Sequence, residues 1–290
     1  MRYCEYPPTA QLARSVACIW TLEGDAGERD EAPQPILPDG RAEFVMHLGD
    51  RFARVDRGAM QRQPWAIFAG QLDRPLTLQP TGRIAVLGVR FRPEGAARFT
   101  RVPQHEFVGR TVDVALASRS LANVARRVRE STASLPDAVR LVERLLAPVE
   151  RCDAGDRRVA AVVDAVLRSG GRVAIESAAA QTGVSRRQIE RLFLRDVGLR
   201  AKQLARIARF QRAIRILAHE ASPARGIRAA HASGYADQAH FIRDFREFAG
   251  CAPTEHLLAR AELTGFFIGG ASHSAFGVRR SAFWVLGSGF

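Results

Sequence analysis

The chain is predicted to be an α+β protein of two domains, with a mostly-β front part and an all-α back part. Three observations carry that expectation. Short apolar or β-branched runs broken by turn residues fill the first 110 positions, helical periodicity takes over after them, and one helical pattern recurs 52 residues apart in the last third. A chain of 290 residues that is 47% apolar can bury more than one core, and about 100 to 200 residues per domain gives two.

In the front part, Phe44-Val45-Met46-His47-Leu48, Ala66-Ile67-Phe68-Ala69 and Ile84 to Phe91 read as strands. Pro38-Asp39-Gly40, Gln79-Pro80-Thr81-Gly82 and Arg92-Pro93-Glu94-Gly95 punctuate them as turns. Such spacing suits a small barrel or sandwich, cupin-like in outline, over residues 1–110. Only His47 and His105 are histidines here, too few and too far apart for a metal-binding cupin.

Residues 111–150 read as a helical connector and a candidate dimerisation surface. Leu135-Pro136-Asp137 opens its second helix, whose Val139, Val142, Leu145 and Leu146 keep helical spacing. Cys152-Asp153-Ala154-Gly155 is a linker, residues 156–262 are helical throughout, and residues 263–290, rich in glycine and serine, are expected to form a flexible tail.

The net charge is +13, which favours a polyanionic partner. Residues 151–262 hold 20 basic against 12 acidic side chains, and residues 1–150 hold 21 against 18, so the excess centres on the repeat. Lys202 is the only lysine, and an arginine bias of this kind reflects codon composition in a GC-rich genome more than selection for phosphate binding. The scattered Cys4, Cys18, Cys152 and Cys251 suggest neither disulfides nor zinc, and a reducing cytoplasm fits them. The start lacks an apolar signal core, and no stretch approaches the ~20 apolar residues of a membrane span.

Adding 52 to Ser185, Ile189, Arg191, Phe193 and Gly198 gives Asp237, Phe241, Arg243, Phe245 and Gly250. A helix cap, an apolar anchor, an arginine, a phenylalanine and a helix-ending glycine therefore recur in register. Ile175 to Thr182 reads as a short helix, Gly183-Val184 as a turn, and Arg186 to Val197 as a second helix capped by Ser185 and closed by Gly198. At 100° per residue, Ile189, Leu192 and Phe193 share one face while Arg187 and Arg191 lie opposite with Glu190 beside them. In the second copy Gly234 marks the turn, Asp237 the cap, and Phe241, Phe245 and Phe248 the buried stripe, leaving Ala239, Arg243 and Arg246 outward. A helix over 201–218, about 27 Å long, joins the copies. One basic helix is usually a solvated surface, but duplication with both turns and both caps intact points to two grips on a repeating polymer. Duplex DNA, whose major groove recurs every ~34 Å, is that polymer.

Gly183 to Phe193 and, more specifically, Gly234 to Arg246 resemble the two signatures of AraC/XylS-type transcriptional regulators. The resemblance spans about 156–260 and implies a seven-helix domain with two helix-turn-helix units. It implies base contacts by Arg187, Glu190 and Arg191 in the first unit and by Gln238, Ala239 and Arg243 in the second. Arg186, Arg195, His240 and Arg246 are the expected phosphate contacts. Gly226 and Ala229 stand where the family places larger apolar residues, and His231 replaces a commonly apolar one, which predicts looser packing of the second unit's leading helix.

The front part resembles an uncharacterised module found before AraC-type domains, through Leu37-Pro38-Asp39-Gly40, His47-Leu48-Gly49, Phe68 to Gln71 and Leu87 to Gly95. By analogy it senses an effector or mediates dimerisation. Arg41, Glu43, His47, Gln71 and Arg90 are candidate polar pocket residues, although polar side chains beside turns are more often structural.

The expected function is a sequence-specific DNA-binding transcription regulator of bacterial type, modulated by its front domain and located in the cytoplasm. Duplex DNA is the expected partner, with RNA polymerase, a small-molecule effector and a second copy of the chain as further candidates. A nonspecific architectural DNA binder, or an enzyme fused to a DNA-binding domain, are the alternatives. No nucleophile elbow, Walker-type loop or H-E-x-x-H motif is present, so no enzymatic activity, cofactor or metal is expected.

Overall fold

The computed structural model describes residues 1–25, 33–131, 134–151, 155–219 and 225–258. The expected tail at 263–290 and Cys152 to Ala154 of the expected linker lie outside the described residues.

The front part opens with β1 (Arg2–Tyr6), β2 (Val16–Asp25), β3 (Gln34–Ile36), β4 (Glu43–His47) and β5 (Ala53–Asp56). It continues with β6 (Ala59–Arg62), β7 (Ala66–Ala69), β8 (Leu76–Gln79), β9 (Arg83–Phe91) and β10 (Thr111–Asp113). The predicted runs at 44–48, 66–69 and 84–91 therefore form strands. They build a six-stranded sheet in the order β1-β2-β9-β4-β7-β10 and a four-stranded sheet in the order β3-β8-β5-β6. The paired strands are antiparallel, with a bulge in β2 between Val16 and Cys18.

Alternation along each central strand sends side chains to opposite faces. In β4, Phe44 and Met46 enter one core, while Glu43, Val45 and His47 face the space between the sheets. Trp20 pairs with Gly88 across the β2–β9 ladder. A side chain at Gly88 would stand 2.1 Å from the indole, so glycine is what lets that ring lie flat.

Residues 114–149 join this front core. α1 (Val114–Ala117), α2 (Arg119–Ser131) and α3 (Leu135–Leu146) cover the other face of the large sheet. Leu121, Val142 and Leu146 pack there with Phe44, Phe68 and Phe91, all fully buried. Ser134 caps α3 by accepting from the Asp137 amide, with Pro136 in the first turn.

The back part is helical: α4 (Arg157–Arg168), α5 (Ile175–Ala180), α6 (Arg186–Asp196), α7 (Ala201–His219), α8 (Arg225–Ala232), α9 (Gln238–Ala249) and α10 (Pro253–Leu258). Its core gathers Val162, Phe193, Phe210, Phe245 and Phe248 around α7. One member comes from far away, because Leu37 of the front part is only 3% exposed inside this helical core. Ala229, at one of the positions from which looser packing is predicted, is fully buried, whereas His231 faces outward.

Candidate nucleic-acid interface

Both helix-turn-helix units form with the caps and turns read from sequence. The Ser185 hydroxyl accepts from the Gln188 amide and the Asp237 carboxylate from the His240 amide, each satisfying a donor that the first helical turn leaves open. Gly183 (φ 71°) and Gly234 (φ 81°) make the turns. Five residues separate the helices in each unit, but Gly234 precedes its cap by three positions and Gly183 by two.

Ile189, Leu192 and Phe193 anchor α6 in the core, and Phe241, Phe245 and Phe248 anchor α9. The opposite faces carry the candidate base readers. Arg187, Arg191, Gln238, Ala239 and Arg243 are exposed. Arg187, Arg191 and Arg243 have no ion-pair partner among the described residues. Glu190 is half-exposed and accepts from Arg186 Nε at 3.1 Å, while Arg186 also lies 3.7 Å from Glu176.

The candidate phosphate contacts divide. Arg246 is exposed and unpaired among the described residues. Arg195 instead holds buried Asp196 with both prongs, at 2.6 and 2.8 Å, and Asp196 also accepts from the Asp156 amide at the start of α4. His240 is half-buried, edge-on against Tyr235 at 5.2 Å and 3.7 Å from Asp244. Those two side chains are committed within the fold.

Three arginines one turn apart on α7 do work that the sequence reading missed. Arg206 donates to Asp244 and Glu247 of α9 and lies over Phe248. Arg209 donates to Gly171 O at 2.7 Å and Arg212 to Ala232 O at 3.0 Å. Their i, i+3 spacing places them along one flank of the rod, where they stitch both units to it. That spacing is visible in the sequence, but a uniform arginine bias hides it.

The front part docks on the same scaffold at several places, one of them the ion pair of Arg92 with Asp164 of α4 at 2.6 Å. Pro38 O accepts from Gln211 Nε2 at 2.6 Å, and Gly40 lies against Leu204, both partners on α7. His105 Nδ1 donates to Leu194 O at 3.2 Å, close to where Gly198 abuts Gln104 O. Gly250 abuts Pro75. Gly198 and Gly250 are equivalent positions of the 52-residue repeat, so the front part touches each recognition helix just beyond its C-terminal end.

Of the candidate pocket residues, Arg41, Glu43 and His47 line a cavity between the two sheets. Arg90 is not among its lining: it is buried and ion-paired to Glu5, Asp39 and Glu43 at 3.1, 3.7 and 2.7 Å. Gln71 is also placed elsewhere, donating its amide to Pro93 O at 3.0 Å. Gln63 and Trp20, absent from the sequence reading, belong to the cavity. Burial raises the Glu43 carboxyl above the usual carboxylate range and pushes the neighbouring Cys18 thiol up to about 12.

No helix among the described residues is long and apolar enough to cross a membrane. No curated protein matches the chain. Among solved structures, ToxT from Vibrio cholerae is similar at 12% identity over 83% of this chain and 98% of that one, with a TM-score of 0.47. ToxT bound to (E)-4-(8-methylnaphthalen-1-yl)but-3-enoic acid gives 12% identity over the same shares, with a TM-score of 0.45. Wild-type ToxT bound to an unsaturated fatty acid gives 11% identity over 83% and 93%, with a TM-score of 0.41. Residues 4–113 match the model of a domain of unknown function (DUF6597), and residues 178–258 match that of a helix-turn-helix domain. Behind that front domain the chain thus carries a helix-turn-helix domain, over the residues whose sequence resembles the AraC type.

Proposed function

We propose that the protein is a sequence-specific transcription regulator that inserts α6 and α9 into successive major-groove segments of one duplex, with the front domain modulating the grip. The observation that carries this is the pair of exposed arginine faces, Arg187 with Arg191 and Arg243, on helices that share caps, anchors and a 19-residue connecting helix. Arginine opposite guanine O6 and N7 is the commonest direct readout and is worth about 1 to 3 kcal/mol per good pair. Glu190, Gln238 and Ala239 complete the two reading faces. Arg186 and Arg246 supply phosphate contacts, and the division is residues 1–110 for sensing, 111–150 as connector and 156–262 for DNA.

Modulation is supported by these docking contacts, because a shift of the front domain reaches α7 and the ends of both recognition helices. The protein acts by binding and catalyses nothing in this reading.

Selection of bound fragments from genomic DNA, followed by titration at several salt concentrations, tests it. A preference of about 10³ or more for the selected site at physiological salt is expected. Equal affinity and equal salt slope on selected and random duplex would instead mark an architectural binder.

A further inference from the structure

Where the two helix-turn-helix units meet, a loop and a turn lie side by side. The loop at 169–173 leads from α4 towards α5, and the turn at Gly234 leads from α8 into α9. Arg172 spans them, because a side chain at Gly234 would stand 2.7 Å from Arg172 Cγ, so the aliphatic stem lies over the second turn. On its other side α5 begins three residues later at Ile175, and Glu176 in the first turn of α5 lies 3.7 Å from Arg186 at the start of α6. Arg172 therefore stands between the N-terminal ends of the two recognition helices.

Its backbone is pinned. Gly171 lies so close to Ala205 O of α7 that no side chain fits there, Arg209 donates to Gly171 O at 2.7 Å, and Ser169 Oγ accepts from the Val173 amide at 3.1 Å. Arg212 ties the second unit to the same place, donating to Ala232 O while its stem rests against Gly170. The Arg172 side chain is exposed and donates Nε to Ser169 O at 2.9 Å. Its two terminal nitrogens have no partner among the described residues. Arg209 and Arg212 likewise have no ion-pair partner among the described residues, so three positive charges gather in this seam without a protein anion to balance them.

Recognition helices enter the major groove with their N-terminal residues first. With α6 and α9 in successive major-groove segments on one face of a duplex, the minor groove between those segments faces the protein, and the backbone bordering it passes the strip held by Arg172. We propose that Arg172 is a phosphate contact midway between the two reading helices, its terminal nitrogens forking the backbone beside the intervening minor groove. The proposal rests on the regulatory reading above and adds a contact that neither recognition helix makes. Phosphate, not a base edge, follows from the posture of the side chain. With the stem along Gly234 and Nε held by Ser169 O, the fork stays at the protein surface and falls short of the groove floor. Such a contact sets the register of both units on the duplex and carries no sequence information of its own.

Titration of the full chain and its Arg172→Gln and Arg172→Lys variants against random and selected duplexes tests the assignment. Arg172→Gln keeps a stem over Gly234 but no charge, and is expected to weaken both duplexes alike and to lower the salt slope by about one. Its loss of affinity between about 50 and 200 mM salt should then be roughly threefold smaller than that of the wild type. Arg172→Lys should restore most of the slope. A merely structural role would lower affinity without moving the slope, and would overturn the proposal. On the selected site, an uncharged methylphosphonate midway between the two major-groove segments should weaken the wild type and leave Arg172→Gln unaffected. A variant that still responds to that substitution, or one with an altered preference among the central base pairs, would also overturn it. Random duplex requires no specific site, so a failed fragment selection leaves the salt-slope result standing, and a failure at Arg172 leaves the two reading helices untouched.

Discussion

Gln211, buried on α7, donates its side-chain amide to the Pro38 carbonyl at 2.6 Å across 173 residues of sequence. Beside it, Leu37 is sealed in the helical core, so the turn at 37–40 belongs structurally to both parts. Gln211→Leu keeps the bulk but leaves that carbonyl without a donor in a buried seam, a loss of about 1 to 3 kcal/mol. Gln211→Glu should be worse, because it sets a carboxylate against a carbonyl where burial already disfavours charge. Thermal unfolding checks the order. Equal melting temperatures for Glu and Leu would show that the seam is wet.

The glycines just beyond the recognition helices make a second, graded prediction. Gly198 (φ 89°) and Gly250 (φ 76°) adopt the left-handed conformation in which alanine is strained. A side chain at Gly198 would stand 2.8 Å from the backbone oxygen of Gln104, whereas one at Gly250 would stand 3.3 Å from a ring carbon of Pro75. Both alanine variants should lose roughly 1 kcal/mol or more, with the greater loss at Gly198, where backbone must move. Urea unfolding of the two variants measures the difference, and a costlier Gly250→Ala would mean that the front domain docks elsewhere.

Local chemistry made the helical part legible. Ser185 and Asp237 announce their helices because a cap acts within three residues, and the phenylalanine stripe of α9 follows from period alone. Arg195 shows the limit: nothing in its spacing reveals that Asp196 turns inward to meet the Asp156 amide. In the front part, alternation puts Glu43 and His47 on one face of β4, and both reach the cavity. Gln71 fails because its destination, Pro93 O, is a tertiary contact without periodic signature. Leu37 is the sharpest case, since an apolar residue in a turn carries no mark of the core it enters.

The reading faces divide by role. Arg191→Ala and Arg243→Ala should each relax discrimination at one half of the selected site, by about 1 to 3 kcal/mol at the affected base pair. Arg246→Ala should weaken all duplexes alike and reduce the salt slope by about one. Binding to selected and single-mismatch duplexes distinguishes the two patterns. Three parallel losses on specific and random DNA would sink these role assignments.

The α7–α9 clamp is asymmetric. Asp244 is 1% exposed and Arg206 is its nearest cation, whereas Arg206 also holds Glu247. Removing Asp244 leaves Arg206 with a carboxylate, so Asp244→Ala should cost about 1.5 to 3 kcal/mol, the worth of a charge-assisted bond. Removing Arg206 strands a buried carboxylate whose remaining basic neighbour, His240, is 3.7 Å away. Arg206→Ala should therefore cost more, about 3 to 5 kcal/mol. Denaturant midpoints that reverse this order would place the stability of the second unit elsewhere.

His47 supplies a pH signature. Burial lowers its pKa from 6.5 to about 4, so between those values the unfolded chain binds a proton that the folded chain refuses. Stability is then complete above about pH 6.5 and falls as the pH drops towards 4, by up to about 3 kcal/mol. Glu43 acts in the opposite sense, because burial raises its pKa from 4.5 and the folded state holds its proton more tightly than the unfolded chain. The wild-type curve therefore mixes the two slopes, and the difference between wild type and His47→Leu isolates the histidine. Urea unfolding at pH 7.5 and pH 5 should show the variant losing less stability than wild type on acidification. Parallel losses in both proteins would mean that the ring is solvated and titrates normally.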